Sequence, residues 1–230
     1  MIMELLDLHT HRTLPQYEGI YSASPAEYKR LCADFPEQYW SIGFHPWNIG
    51  SEGVSEPEMK ALRELASSDK VVAIGECGID LTHAGAAPMW RQLPAFKSQA
   101  ELAATLGKPL IIHCVKAWDV IISVHKELAA KYNAAGREEP HRPLRWVIHG
   151  FRGKPSVAQM LLKQGIGLSY GEHFNAESLL ATPLDHLYAE TDESQLDIRA
   201  VIERMHAADP RVTEELIAAN LQKLIGGLQH

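Results

Sequence analysis

Eight short runs rich in β-branched and aromatic residues recur along the chain, and most are separated by longer stretches with helical periodicity. The runs are ELLDLH (4–9), GIYSA (19–23), YWSIGFH (39–45), VVAIGE (71–76), PLIIH (109–113), RWVIH (145–149), GIGLSY (165–170) and LYAETD (187–192). Strand then helix, with no linker or internal repeat, predicts a parallel α/β architecture. Eight such strands predict a (β/α)8 TIM-type barrel filling one domain, residues 1–230. Helix starts are marked by Ser24 with Pro25 and Glu27, and by Ser55 with Glu58. Longer helices are predicted over 89–106, 117–131 and 213–225, and Gly107 and Gly165 stand where helix-terminal glycines belong. One connection conflicts with this pattern. Only about nine residues separate the first two strands, fewer than a parallel crossover needs. The barrel is therefore expected to be distorted on that side or to lack its first helix, unless GIYSA lies outside it.

Composition narrows the class. Apolar residues make up 46% of the chain and charged residues 22%, as in a globular protein with a large core. No run is long enough to span a bilayer and no leader-like start is present, so a cytoplasmic protein without membrane contact is expected. Cys32, Cys77 and Cys114 form no CxxC pair, which argues against a disulfide framework or a thiolate zinc site. A net charge of −7 excludes a broad basic surface for nucleic acid. It does not exclude an enzyme that grips one phosphate through metal ions.

The informative feature is where the ligand-type side chains fall. His9 and His11 end the first strand, His45 the third, Glu76 the fourth, His113 the fifth, His149 the sixth and Asp192 the last. Residues two apart in a strand share a face, so both imidazoles of HTH can look at one centre, and Asp7 shares that face. In an α/β barrel these strand ends form the rim on which active sites are built. This many nitrogen and oxygen ligands exceeds the three of a typical catalytic zinc and points to two divalent ions sharing a carboxylate. The absence of sulfur permits Zn, Mn, Mg, Ni or Co without choosing among them. His83, His125, His141, His186, His206 and His230 fall on predicted loops or helix surfaces. Trp90, Trp118 and Trp146 read as packing residues, and Trp47, just beyond His45, as the tryptophan nearest the substrate.

These residues resemble the TatD family of metal-dependent hydrolases. The resemblance rests on DLHTH (7–11), GFHP (43–46), AIGECGID (73–80), QLPAFKSQAELAATLGKPLIIH (92–113), VIHGFRG (147–153), ETD (190–192) and AANLQKLIG (218–226), in that order. It implies a two-metal hydrolase that cleaves phosphodiester bonds, a deoxyribonuclease acting on DNA ends, with nucleic acid or another phosphodiester as transient substrate. By the same resemblance His9, His11 and Asp192 hold one ion, His113 and His149 the other, and Glu76 bridges them. Asp192 is then the general base, and His45 contacts substrate phosphate.

The chain also departs from the family pattern. Val115 replaces the usual arginine after His113, leaving Lys116 as its substitute, and Gly150 and Arg152 replace a cysteine and a serine, adding a rim cation. Ser194 stands where a proline is usual. The competing readings are a phosphatase of the PHP class, an amidohydrolase-like ester or amide hydrolase, and a metal-stabilised barrel without catalysis. A second Asp-x-His near the C-terminus, expected for the first, is absent, and the fourth strand offers Glu76 where the second usually has lysine.

Overall fold

The computed structural model describes residues 5–12, 18–133 and 144–226. Its strands are β1 (Asp7–Thr10), β2 (Gly19–Ala23), β3 (Tyr39–Ile42), β4 (Val71–Asp80), β5 (Leu110–Val115), β6 (Trp146–Ile148), β7 (Gly167–Tyr170) and β8 (Leu187–Ala189). They pair in sequence order, all in parallel, and β1 closes on β8 to complete a barrel. GIYSA belongs to this barrel, because β2 pairs with β1 at Asp7↔Gly19 and with β3 at Ile20↔Tyr39. The expectation of a missing first helix concerns the β1–β2 connection, whose residues 13–17 lie outside the described residues.

The helices are α1 (Pro25–Leu31), α2 (Glu56–Leu65), α3 (Met89–Leu106), α4 (Trp118–Asn133), α5 (Pro155–Leu162), α6 (Ala176–Ala181), α7 (Ile198–Ala208) and α8 (Glu214–Ile225). Reciprocal capping boxes start α1 at Ser24 with Glu27 and α2 at Ser55 with Glu58, satisfying otherwise unpaired amide groups in the first turn. Gly107 ends α3 in the left-handed conformation at φ 63°. One large buried cluster joins strand residues such as Ile42, Ile112 and Leu168 to Phe96 of α3, Ile121 of α4 and Val201 of α7. A smaller one gathers Leu8, Ile20, Ile111 and Val147 with Leu221 and Leu224 of α8.

Two strand ends differ from expectation in ways that matter for the site. β4 runs four residues past Glu76 to Asp80, and all ten of its residues are buried. Gly78 permits this length: its φ is 155°, and a Cβ there would collide with the carbonyl oxygen of His113 on β5. β8 stops at Ala189, short of the predicted 192. Asp192 nevertheless makes a parallel bridge to Thr10, its N–H donating to the His9 carbonyl at 2.9 Å and its carbonyl accepting from His11 N at 3.2 Å.

Candidate metal centre

The strand ends bring the predicted ligands together around one carboxylate. Glu76 is only 6% exposed, and each of its oxygens faces its own set of imidazoles. Toward Oε1 lie His149 Nε2 at 2.7 Å, His113 Nδ1 at 2.8 Å and His45 Nε2 at 3.0 Å. Toward Oε2 lie His9 Nε2 at 3.3 Å and His11 Nε2 at 3.4 Å. Asp192 Oδ1 stands 3.8 and 3.7 Å from the same two nitrogens, so His9, His11 and Asp192 form one compact donor set. The i, i+2 spacing of HTH thus brings both rings to one oxygen.

Electrostatics keeps this carboxylate charged. Burial works to raise the Glu76 pKa, but His149 and His9, with hydrogen bonds from His11 and His113, outweigh it and hold the carboxyl well below the usual range. His149 shows the converse. Burial opposes its charge, yet Glu76 and Glu190 raise its pKa well above that of a free imidazole. His9, equally buried, is pushed down by desolvation and by the neighbouring charge of His149.

The partners of the second ring nitrogen sort the histidines by what they can offer. His113 Nε2 lies 3.2 Å from Asp80 Oδ2, which fixes the ring hydrogen there and leaves Nδ1 turned toward Glu76. His149 Nδ1 faces Glu190 Oε1 at 3.4 Å, leaving Nε2 inward. His9 is fully buried, and among the described residues neither of its nitrogens has a hydrogen-bond partner, Nε2 standing only in ion-pair range of Glu76 Oε2 at 3.3 Å. An imidazole so placed loses its hydration without recompense, unless its lone pair coordinates a cation. The donor set therefore fits divalent metal. His45 is different: its Nδ1 accepts from Trp47 N at 3.2 Å, so the neutral ring carries its hydrogen on Nε2 and presents a donor. That suits an anionic oxygen better than a metal.

Asp80 and Glu190 were not singled out from sequence. Asp80 Oδ2 also accepts from Trp47 Nε1 at 2.8 Å, while Oδ1 accepts from Thr82 N at 2.7 Å, and these bonds hold its pKa down against burial. Glu190 has no exposed surface. Its Oε1 accepts from Gly150 N at 2.6 Å, and its Oε2 has no hydrogen-bond partner among the described residues. Two-residue alternation was the available signal, since Asp80 shares a face with Glu76 and Glu190 with Asp192. Among the other histidines, His125 is buried edge-on against Trp146 at 4.8 Å, not on a helix surface, while residues 141 and 230 lie outside the described residues. Trp90 is 63% exposed beneath Arg91, contrary to a packing role. Lys116 and Arg152 are exposed beyond the ends of β5 and β6, and Lys116 adopts φ 56°.

Asp7 faces inward as expected but bonds to backbone and Thr191, not to the imidazoles. Its Oδ1 accepts from His9 N at 3.2 Å and Thr191 N at 3.0 Å, and its Oδ2 from Thr191 Oγ1 at 2.6 Å. Burial, aided by Glu190 and opposed by the Thr191 bonds, pushes its pKa up to about 7. A raised carboxyl pKa means that the folded chain binds more protons than the unfolded one between the two values, so stability falls as pH rises from about 4 to about 7. Asp7→Asn keeps one oxygen to accept from His9 N and Thr191 N, turns its NH2 to Thr191 Oγ1, whose hydroxyl can accept, and carries no charge. In chelator-stripped protein it is expected to unfold at higher urea than wild type at pH 8, with the gap closing by pH 4. A gap that is absent or widens toward acid would contradict this role.

The family model "TatD related DNase" matches residues 8–224. The "Uncharacterized metal-dependent hydrolase YabD" of Bacillus subtilis is 32% identical over 216 residues, covering 82% of this chain and 79% of that protein. The "3'-5' ssDNA/RNA exonuclease TatD" of Erwinia tasmaniensis is 33% identical over 172 residues, 70% of this chain and 61% of the exonuclease. The match thus spans about three fifths of that exonuclease's length. The crystal structure of YjjV, a TatD homolog from Escherichia coli, superposes with a TM-score of 0.76 at 21% identity over 97% of each chain, which confirms the barrel fold. No helix among the described residues is long and apolar enough to cross a membrane. With motif order, barrel and family match in agreement, the chain belongs to the TatD-related DNase family, and the metal-dependent hydrolase expected from its sequence is borne out at the level of that family.

Proposed function

We propose that the chain is a two-metal phosphodiesterase that removes nucleotides from the ends of DNA or RNA single strands. The observation that carries this reading is the division of imidazoles between the two oxygens of Glu76. His9, His11 and Asp192 would hold one divalent ion and His113 and His149 another, with Glu76 contributing a carboxylate oxygen to each set. The family match and the exonuclease named among the relatives support the substrate class.

Divalent ions held there supply Lewis acidity toward phosphoryl oxygens and lower the pKa of bound water toward ~7. The remaining roles belong to the chain itself. Asp192, with 29% of its side chain exposed, orients the attacking water and takes its proton on a carboxylate oxygen. His45 offers its Nε2 hydrogen to a non-bridging oxygen of the scissile phosphate. Asp80 and Glu190 fix the rings of His113 and His149. Lys116 and Arg152 supply the rim cations for phosphates further along the strand, in a chain whose net charge is −7.

The test is metal-reconstituted protein on end-labelled single-stranded and duplex DNA and on RNA, beside p-nitrophenyl phosphate as monoester. A ladder of progressively shortened strands, abolished by chelator and restored by added divalent cation, is the expected result. Release of inorganic phosphate without shortening would move the assignment to a phosphatase. Stoichiometric metal binding with no turnover of any substrate would leave a metal-stabilised barrel.

A further inference from the structure

A cavity of about 250 Å³ opens directly beside the histidine cluster, at the C-terminal ends of β1 to β4, and the metal centre uses only its inner edge. Its outer lining includes Ser22, Ser24, Glu27, Trp47, Asn48 and Glu193, and no lysine or arginine occurs among the described lining residues. Hydroxyls, an amide and two carboxylates are suited to N–H and O–H donors and repel phosphate. The volume lies just under the ~300 Å³ at which sites for drug-sized molecules begin. It suits one base with its sugar, not a longer stretch.

Trp47 sets the geometry of this cavity. It is 44% exposed, yet three contacts hold its ring. Its Nε1 donates to Asp80 Oδ2 at 2.8 Å, one face stacks on His83 at 4.0 Å and 16°, and His45 meets it edge-on at 4.8 Å. An exposed aromatic ring held this firmly has no core to fill, and its remaining surface lines the cavity. The side chain that holds the ring, Asp80, also orients His113. The platform and the metal centre are therefore in fixed register.

We propose that this cavity is a nucleobase subsite in which the base of the terminal nucleotide stacks on Trp47 while its phosphate reaches the Glu76 cluster. The proposal rests on the nuclease reading above and names the part of the substrate that the enzyme recognises. Stacking tolerates every base, so the subsite gives little sequence preference. It does require an unpaired base, because a paired one is stacked within its own duplex. Single strands and frayed ends are thus the substrates that fit. Glu27 and Glu193 keep the phosphate out of the base subsite and on the metal side.

The test uses binding as well as turnover. Adenosine 5′-monophosphate and ribose 5-phosphate share sugar and phosphate and differ by the base. Calorimetric titration of manganese-loaded protein is expected to show the nucleotide binding at least about tenfold tighter. In Trp47→Ala that advantage falls to about threefold or less, whereas Trp47→Phe, which keeps an aromatic face, retains most of it. Equal affinity of the two ligands for wild type, or an undiminished advantage in Trp47→Ala, would overturn the subsite. Oligonucleotide shortening without a base advantage removes the subsite and leaves the nuclease reading intact. A base advantage without turnover of any diester does the reverse.

Discussion

Glu76→Gln is expected to reduce the metal content from two ions per chain to one or none and to lower kcat/KM on single-stranded DNA by ~10²–10³ or more. The amide keeps the volume of the carboxylate but has one acceptor oxygen where the carboxylate has two. One of the two imidazole sets, His9 and His11 or His113 and His149, would then face an NH2 group. The loss of charge acts in the same direction, because Glu76 counters the burial penalty on His149, His11 and His9. Elemental analysis after dialysis, set beside initial rates, measures both effects. A variant that keeps two ions and more than about a tenth of the wild-type rate would remove Glu76 from the bridging position.

Asp192→Asn separates catalysis from metal assembly. Its backbone bonds to His9 O and His11 N survive the substitution, so the seam between the first and last strands stays closed. The substitution removes the proton acceptor and, with it, the negative charge of the donor set that Asp192 forms with His9 and His11, so the ion on that side is expected to bind more weakly. A fall in kcat of ~10²–10⁴ is expected, as for other general bases, with the ion shared by His113 and His149 still bound. An unchanged kcat would refute the assignment of Asp192 as base. Loss of both ions would show instead that its main part is as a ligand.

How much of this could be read from the sequence differs from one side chain to another. The barrel was legible because each strand is a short apolar run and each long helix carries its own punctuation, as at Ser55 and Gly107. His9, Glu76, His113 and His149 were legible because a ligand-type residue closing an apolar run stands out against its neighbours. Asp80 was hidden because the predicted strand ends at Glu76, whereas β4 continues through Gly78, which relieves a close approach of β5. Glu190 sits two residues before Asp192 in a segment read for its final aspartate alone. The distinction between His45 and its neighbours came from the resemblance alone and not from the spacing of the residues. It depends on which atom meets the far nitrogen of each ring: Trp47 N for His45, Asp80 for His113 and Glu190 for His149. Two of those three partners come from other strands of the fold.

The contact between Asp7 and Thr191 joins residues 184 positions apart, and the bridge from Thr10 to Asp192 lies beside it. Contacts so distant in sequence form late in folding, after the loop between them has been closed. His9 and His11 precede Asp192 in synthesis, as their order in the sequence requires. A nascent chain can therefore present two imidazoles but cannot complete their donor set until β8 docks beside β1. Uptake of the ion at this seam would report, in a refolding experiment, that the barrel has closed.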